Sequence, residues 1–231
     1  MAGLVHRLVR KGKRRIKDWR RHHRTEALIE AGVRLLALRD YDHISVAKIT
    51  KEAGCSVGAF YARFPKKDAF LYHLIASTFR NLTEDAERVL APVQGPKESG
   101  DQITRKIVGY IVGRLADRRT AGVIRATMKL APQRPTVLEL FQDYRTSVTD
   151  RAITLLSPKL DGQTRPIRIA MQIVFATVTD AILQGKAGPM PLGSSRMTET
   201  LSDIMTGYLG LADGYASADP RKLTKTAAKN L

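Results

Sequence analysis

Apolar residues recur along this chain three and four positions apart, the spacing that lines one face of an α-helix. The pattern is sharpest from Ser45 to Leu71, SVAKITKEAGCSVGAFYARFPKKDAFL, where Val46, Ile49 and Ala53 form one stripe. Ser45 precedes that stripe, placed for its hydroxyl to accept a hydrogen bond from a free backbone N–H of the first turn. Gly54 ends the segment, because glycine enters the left-handed conformation of a helix C-terminus at little cost. Ser56 opens a second short helix, with Phe60 and Phe64 four apart on its buried face. Pro65 stops this helix and bends the chain into the next. Two short helices crossing over a tight turn form a helix-turn-helix, whose second helix enters the DNA major groove.

Helical periodicity continues on both sides. Thr25 to Leu38 reads as a first core helix, with Thr25 as its cap and Leu28, Ala31, Leu35 and Leu38 as its inner stripe. Tyr41 and Ile44, in the connection that follows, are expected on the same core. Lys67 to about Leu90 reads as one long helix, and the stretch APVQGPKESG, from Ala91 to Gly100, breaks it. Further helices are predicted over Asp101–Leu115, Thr120–Leu130, Pro135–Leu156, Thr164–Lys186 and Ser195 to about Ala212, with Pro135 in a first turn and Ser195 as a cap. No apolar run approaches the roughly 20 residues that span a bilayer. The last two helices have broad apolar faces with small residues at Ala170, Ala176 and Ala181, which permit close approach. Either a second copy pairs with this hairpin in a four-helix bundle, or both faces bury against the body of the same chain. Asp213–Leu231 is polar and without periodicity, and is expected to be a disordered tail.

Charge sharpens the picture. The 231 residues carry a formal net charge of +17, which points to a polyanionic partner, nucleic acid or an anionic membrane surface. About half of it lies in Met1–Arg24, where ten basic residues, among them Arg14, Arg15, Arg20 and Arg21, face only Asp18. Such an arm can follow phosphates or enter the minor groove. A passive solubilising tail and, given the interspersed Leu4, Leu8, Ile16 and Trp19, a membrane-surface contact are the other readings. No apolar stretch suited to a secretory signal follows the basic arm. One cysteine, Cys55, excludes an intrachain disulfide and fits a reducing compartment.

With these residues in view, the stretch resembles the DNA-binding domain of the TetR family of transcriptional regulators. The shared order is a hydroxyl residue opening the first helix, Ile49, Ala53-Gly54, Ser56, Gly58, Tyr61, Phe64-Pro65, Lys67 and a following apolar pair, without a gap from Ser45 to Leu71. Tyr61 and Lys67 are not needed to make the turn, so their presence is more specific than a generic helix-turn-helix. The likeness covers roughly Thr25 to Ile75. It implies an all-α protein, with an N-terminal three-helix DNA-binding domain and a C-terminal helical domain for ligand binding and dimerisation. The expected division is an arm at 1–24, the DNA-binding domain at 25–71, the body at 72–212 and a tail at 213–231. Homodimerisation through the last two helices is implied, as is a small-molecule effector held among the helices from Asp101 to Lys186.

Residues for DNA contact divide into those that position and those that read. Ser45 and Ser56 stand at helix starts, where free N–H groups favour phosphate. Tyr61 and Lys67 match family positions that grip phosphate. The outward side of the second helix offers Val57, Gly58, Ala59, Ala62 and Arg63, of which Arg63 is the one long donor able to address guanine, while Val57 and Ala59 suit only apolar contact such as a thymine methyl. Lys48 and the basic arm supplement this face. Many family members carry a polar or basic residue where this chain has Val57, and an aromatic one where it has Ala62.

Other chemistry is sparse. Adjacent His22 and His23 point about 100° apart on a helix and cannot chelate one metal together. No nucleophile elbow, Walker A loop or dinucleotide motif occurs, so neither a catalytic site nor a cofactor or metal site is expected. Cys55 reads as a small buried hydrophobe, or as a redox switch beside DNA. Tyr110, Met128, Phe141, Tyr144, Met171 and Phe175 are candidates to line the effector site, or simply core. The resulting expectation is a cytoplasmic, nucleoid-associated, sequence-specific repressor released from its operator by a small molecule, without stable membrane association. The alternatives are a sequence-tolerant chromosome-organising protein that relies on the arm, and a membrane-surface protein.

Overall fold

The computed structural model describes residues 23–92, 98–185 and 189–211, and every regular element among them is helical. The helices are α1 (23–36), α2 (Val46–Glu52), α3 (Val57–Tyr61), α4 (Lys67–Val89), α5 (Gly100–Leu115), α6 (Arg118–Leu130), α7 (Pro135–Leu156), α8 (Arg165–Gln184) and α9 (Ser195–Leu209). The expected basic arm, apart from His23 and Arg24, and the expected tail lie outside the described residues.

The chain forms two compact units. One takes the residues up to Phe79 together with Arg118–Leu140; the other takes Arg80–Asp117 and the residues from Phe141 onward. The first unit is therefore discontinuous in sequence, with α6 and the first six residues of α7 joining the helix-turn-helix.

Its core is built from Leu28, Ala31, Ile44, Ile49, Phe60, Phe64, Phe70 and Leu74, all buried. Phe60 comes from α3, Phe64 from just beyond it and Phe70 from the first turn of α4, and their ring centroids lie 5.5, 5.3 and 5.2 Å apart pairwise. A five-residue helix has no stability of its own, so this aromatic cluster is what holds α3. Gly32 lets α1 lie close to α4: a Cβ there would stand 2.5 Å from Leu74 Cδ1 and 2.7 Å from Phe70 Cζ. α6 is fastened within the same unit by ion pairs from Arg119 to Glu30 and Lys129 to Asp42, and the connection that follows it by a pair from Arg134 to Asp68. Lys129 holds the Asp42 carboxyl below its usual range, chiefly by hydrogen bonding.

In the second unit α5, α8 and α9 pack on one another around Ile107, Ile111, Met171, Val174, Val178, Leu201 and Met205. Ser99 and Gln102 close the start of α5 reciprocally: the Gln102 N–H donates to Ser99 Oγ at 3.2 Å and the Ser99 N–H to Gln102 Oε1 at 2.9 Å. The Tyr110 hydroxyl donates to the Leu82 carbonyl at 2.9 Å, tying α5 to the second half of α4.

Several local expectations change. α1 is already helical at residue 23, so Thr25 is not its cap, and it ends at 36. Its inner row accordingly finishes on buried Leu36, while Leu38, beyond the last turn, is 67% exposed. Ser194, not Ser195, caps α9, its Oγ accepting the Met197 N–H at 3.1 Å. Ala170 is buried as expected, but Ala176 faces outward. α8 is long and apolar enough to cross a membrane by length and composition, contrary to the sequence reading. Its exposed side carries Arg168, Gln172 and Asp180 beside Ile169, Ile173 and Leu183, while Ile167, Met171, Val174 and Val178 are buried on the side that packs on α5 and α9.

Candidate nucleic-acid interface

The helix-turn-helix is assembled from local hydrogen bonds that the residues themselves dictate. Ser45 Oγ accepts the Lys48 N–H at 3.2 Å and Ser56 Oγ accepts the Ala59 N–H at 3.1 Å. Between them Gly54 takes φ +64°, the left-handed region that a side chain disfavours. That turn lets the Cys55 N–H donate back to the Thr50 carbonyl at 2.9 Å and closes α2. Cys55 is half-buried.

The outward face of α3 consists of Val57, Gly58, Tyr61 and Ala62, all exposed. They form two rows at i and i+4, Val57 with Tyr61 and Gly58 with Ala62. Val57 is 43% and Tyr61 52% exposed, and Phe60 braces the Tyr61 ring edge-on at 5.4 Å. The Tyr61 hydroxyl is the one hydrogen-bonding side-chain group on this face. Ala59 is half-buried and turned away from it.

The cations named from sequence are placed differently. Arg63 lies past the end of α3, half-buried, with Nη1 donating to the Ala59 carbonyl at 2.8 Å and Nε buried without a partner. Lys48 Nζ donates to the His43 carbonyl at 3.0 Å. Lys67 Nζ donates to the Tyr41 carbonyl at 3.0 Å and sits 3.9 Å above the Tyr41 ring, and burial lowers its pKa against the opposing pull of Asp42 and Asp68. All three thus engage backbone carbonyls of their own domain. Arg14, Arg15, Arg20 and Arg21 lie outside the described residues.

An ionic brace behind the motif escaped sequence reading. Arg34 Nε meets Glu52 Oε1 at 2.8 Å, and Arg34 Nη1 meets Glu30 Oε1 at 3.3 Å, the same oxygen that pairs with Arg119. It joins α6, α1 and the end of α2. Arg34 and Glu52 stand 18 positions apart and Arg119 and Glu30 89, so only the Glu30–Arg34 pair, at i and i+4, follows a local pattern.

Five of the six candidate effector-site residues, Tyr110, Phe141, Tyr144, Met171 and Phe175, are buried in the second unit. Tyr144 stacks on Phe141 at 6.4 Å and meets Phe175 edge-on at 6.1 Å. Burial raises the Tyr110 phenol to about 12 and pushes Tyr144 well up. The Arg145 guanidinium lies 5.3 Å from the Phe175 ring centroid with Nε buried and unpaired, and burial lowers its pKa. Met128, the sixth candidate, belongs to the first unit. Among the described residues no three His, Cys, Asp or Glu side chains cluster to hold a metal.

Residues 28–74 match the family model described as bacterial regulatory proteins, tetR family. Over 50 residues the chain is 52% identical to the HTH-type transcriptional regulator YwcC of Bacillus subtilis (strain 168), described as uncharacterised. That match spans only 22% of this chain and 22% of the relative. The fold is similar to that of a TetR-family regulator from Mesorhizobium loti over 83% of this chain and 97% of that one (TM-score 0.66, 14% identity). It is also similar to the regulator FadR of Bacillus subtilis in complex with stearoyl-CoA (TM-score 0.54, 18% identity, 80% of this chain and 96% of that one).

Proposed function

Because this chain belongs, by its DNA-binding domain, to the tetR family, we propose that it is a homodimeric repressor of a pseudo-palindromic operator, released by a small-molecule effector. Each subunit would place α3 in the major groove of one half-site, with half-site centres about 34–36 Å apart. The observation that carries this reading is the doubly capped α2–turn–α3 unit with its exposed outer face. Tyr61, Lys48, Lys67 and the basic arm would hold phosphates, once the lysines exchange their carbonyl partners for DNA.

The α8–α9 hairpin supports the dimer. Ile169, Ile173 and Leu183 on α8 and Ile204 and Tyr208 on α9 are exposed, and a shallow apolar groove runs between Ile173, Ile204 and Tyr208. A second copy of the same hairpin would bury them in a four-helix bundle. Release needs an effector that binds two conformations unequally. α6 is a suitable element to carry the difference, since its ion pairs to Glu30 and Asp42 link it to α1 and to the turn before α2. Arg145, half-buried beside Phe141 and Phe175, favours an effector with an apolar body and a negative end.

Selection of binding sites from random duplexes by the purified full chain, at physiological salt, tests the proposal. Enrichment of one inverted repeat with the stated spacing is the expected result. Tight, salt-sensitive binding without enrichment would refute it.

A further inference from the structure

We propose that α3 reads its half-site by steric fit, with Val57 packed against a thymine methyl group and Gly58 providing clearance, and not by hydrogen bonds from Arg63. This rests on the proposal above that α3 is the recognition helix. Of the four outward residues, Val57, Gly58 and Ala62 have no hydrogen-bonding side-chain atom, and the fourth, Tyr61, has one hydroxyl. Arg63 follows the end of the helix, off both outward rows, with its guanidinium returned to the Ala59 carbonyl. In the major groove the base feature that rewards a purely apolar side chain is the C5-methyl of thymine.

Gly58 points the same way. A Cβ there would meet nothing nearer than Ser56 Oγ at 3.9 Å, and its φ is not positive. Neither packing nor backbone conformation inside the chain asks for glycine, and glycine weakens a helix relative to alanine. Gly113 in α5 has equally open surroundings, so space alone does not single out Gly58. Its place on the outward face, next to Val57 and one turn before Ala62, does. There the missing Cβ lets the helix settle deeper into the groove.

The experiment uses the operator found by selection. Replacing thymine by uracil, one position at a time, removes the methyl and leaves every hydrogen-bonding edge intact. One thymine per half-site is expected to be sensitive, with binding weakened about fourfold for each methyl lost. In Val57→Ala that sensitivity should disappear. Gly58→Ala should melt no lower than the wild type yet bind the operator about tenfold or more weakly; a merely structural glycine would not move the two readouts apart. Arg63→Ala should leave the base preferences unchanged. The proposal is overturned if no thymine is uracil-sensitive, if Gly58→Ala binds like the wild type, or if Arg63→Ala relaxes the preference at a guanine. Failure to enrich any operator would overturn the regulator reading and this one with it.

Discussion

Gly122→Ala tests how α6 is held in the DNA-binding unit. In the middle of α6 a Cβ at this position would fall 2.2 Å from the Leu36 carbonyl oxygen, 2.5 Å from its carbon and 2.9 Å from the Ala37 nitrogen. A carbon normally approaches a carbonyl oxygen to about 3.3 Å, so α6 or the end of α1 must retreat by roughly 1 Å. The atoms in the way are backbone and cannot turn aside as a side chain would. Leu36 is also held by its neighbours, because the Arg39 N–H donates to the Leu35 carbonyl and the Ala37 N–H to the Val33 carbonyl, both at 3.1 Å. Overpacking of this kind costs about 1–3 kcal/mol, and the helix preference of alanine over glycine returns at most about 1 kcal/mol. Gly113→Ala supplies the control, since a Cβ at that exposed position in α5 meets nothing within 4 Å. It should stabilise by up to about 1 kcal/mol. Urea unfolding followed by circular dichroism, at fixed protein concentration, should move the two midpoints in opposite directions. A Gly122→Ala midpoint at or above the wild-type value would refute the reasoning and show that α6 is not pressed onto α1.

Ile173→Asp places a charge in the apolar groove beside Ile204 and Tyr208, and sedimentation velocity should find monomer with helical content unchanged; a persistent dimer would remove α8–α9 as the interface. Burial raises the phenols of Tyr41, Tyr110 and Tyr144, so in the folded chain they stay neutral above pH 10 while the unfolded chain ionises. The stability they contribute is complete below about pH 10 and is lost as pH rises toward the raised native values. The melting temperature should therefore fall above about pH 10, less steeply in Tyr110→Phe, and an equal slope in both proteins would count against it. Ser56→Ala removes the one side-chain cap of a five-residue helix and should cost about 1 kcal/mol, with Ser56→Thr restoring most of it. An unchanged urea midpoint would show that the aromatic cluster alone holds α3.

The DNA-binding motif was legible because its instructions are local. Ser45, Gly54 and Ser56 act on backbone groups within a few residues of themselves, and the structure places the caps and the left-handed turn at those positions. The bounds of α7, Pro135–Leu156, follow from Pro135 in its first turn and the Ser157-Pro158 break. Where helix ends shifted, side chains changed places: an early end to α1 exposed Leu38, and α3 ends at Tyr61 with Arg63 donating to the Ala59 carbonyl of its last turn.

Periodicity alone determined that the chain is helical and which face of most helices is apolar, since both follow from repeats of three and four residues along one segment. It could not determine what each face meets. That α6 joins the DNA-binding unit was decided by a glycine, Gly122, lying against the Leu36 backbone and by pairs such as Arg119 with Glu30, 89 positions apart. Those contacts exist only once the whole chain has packed. An amphipathic stripe specifies burial, whereas the partner depends on shape and charge brought together from distant segments.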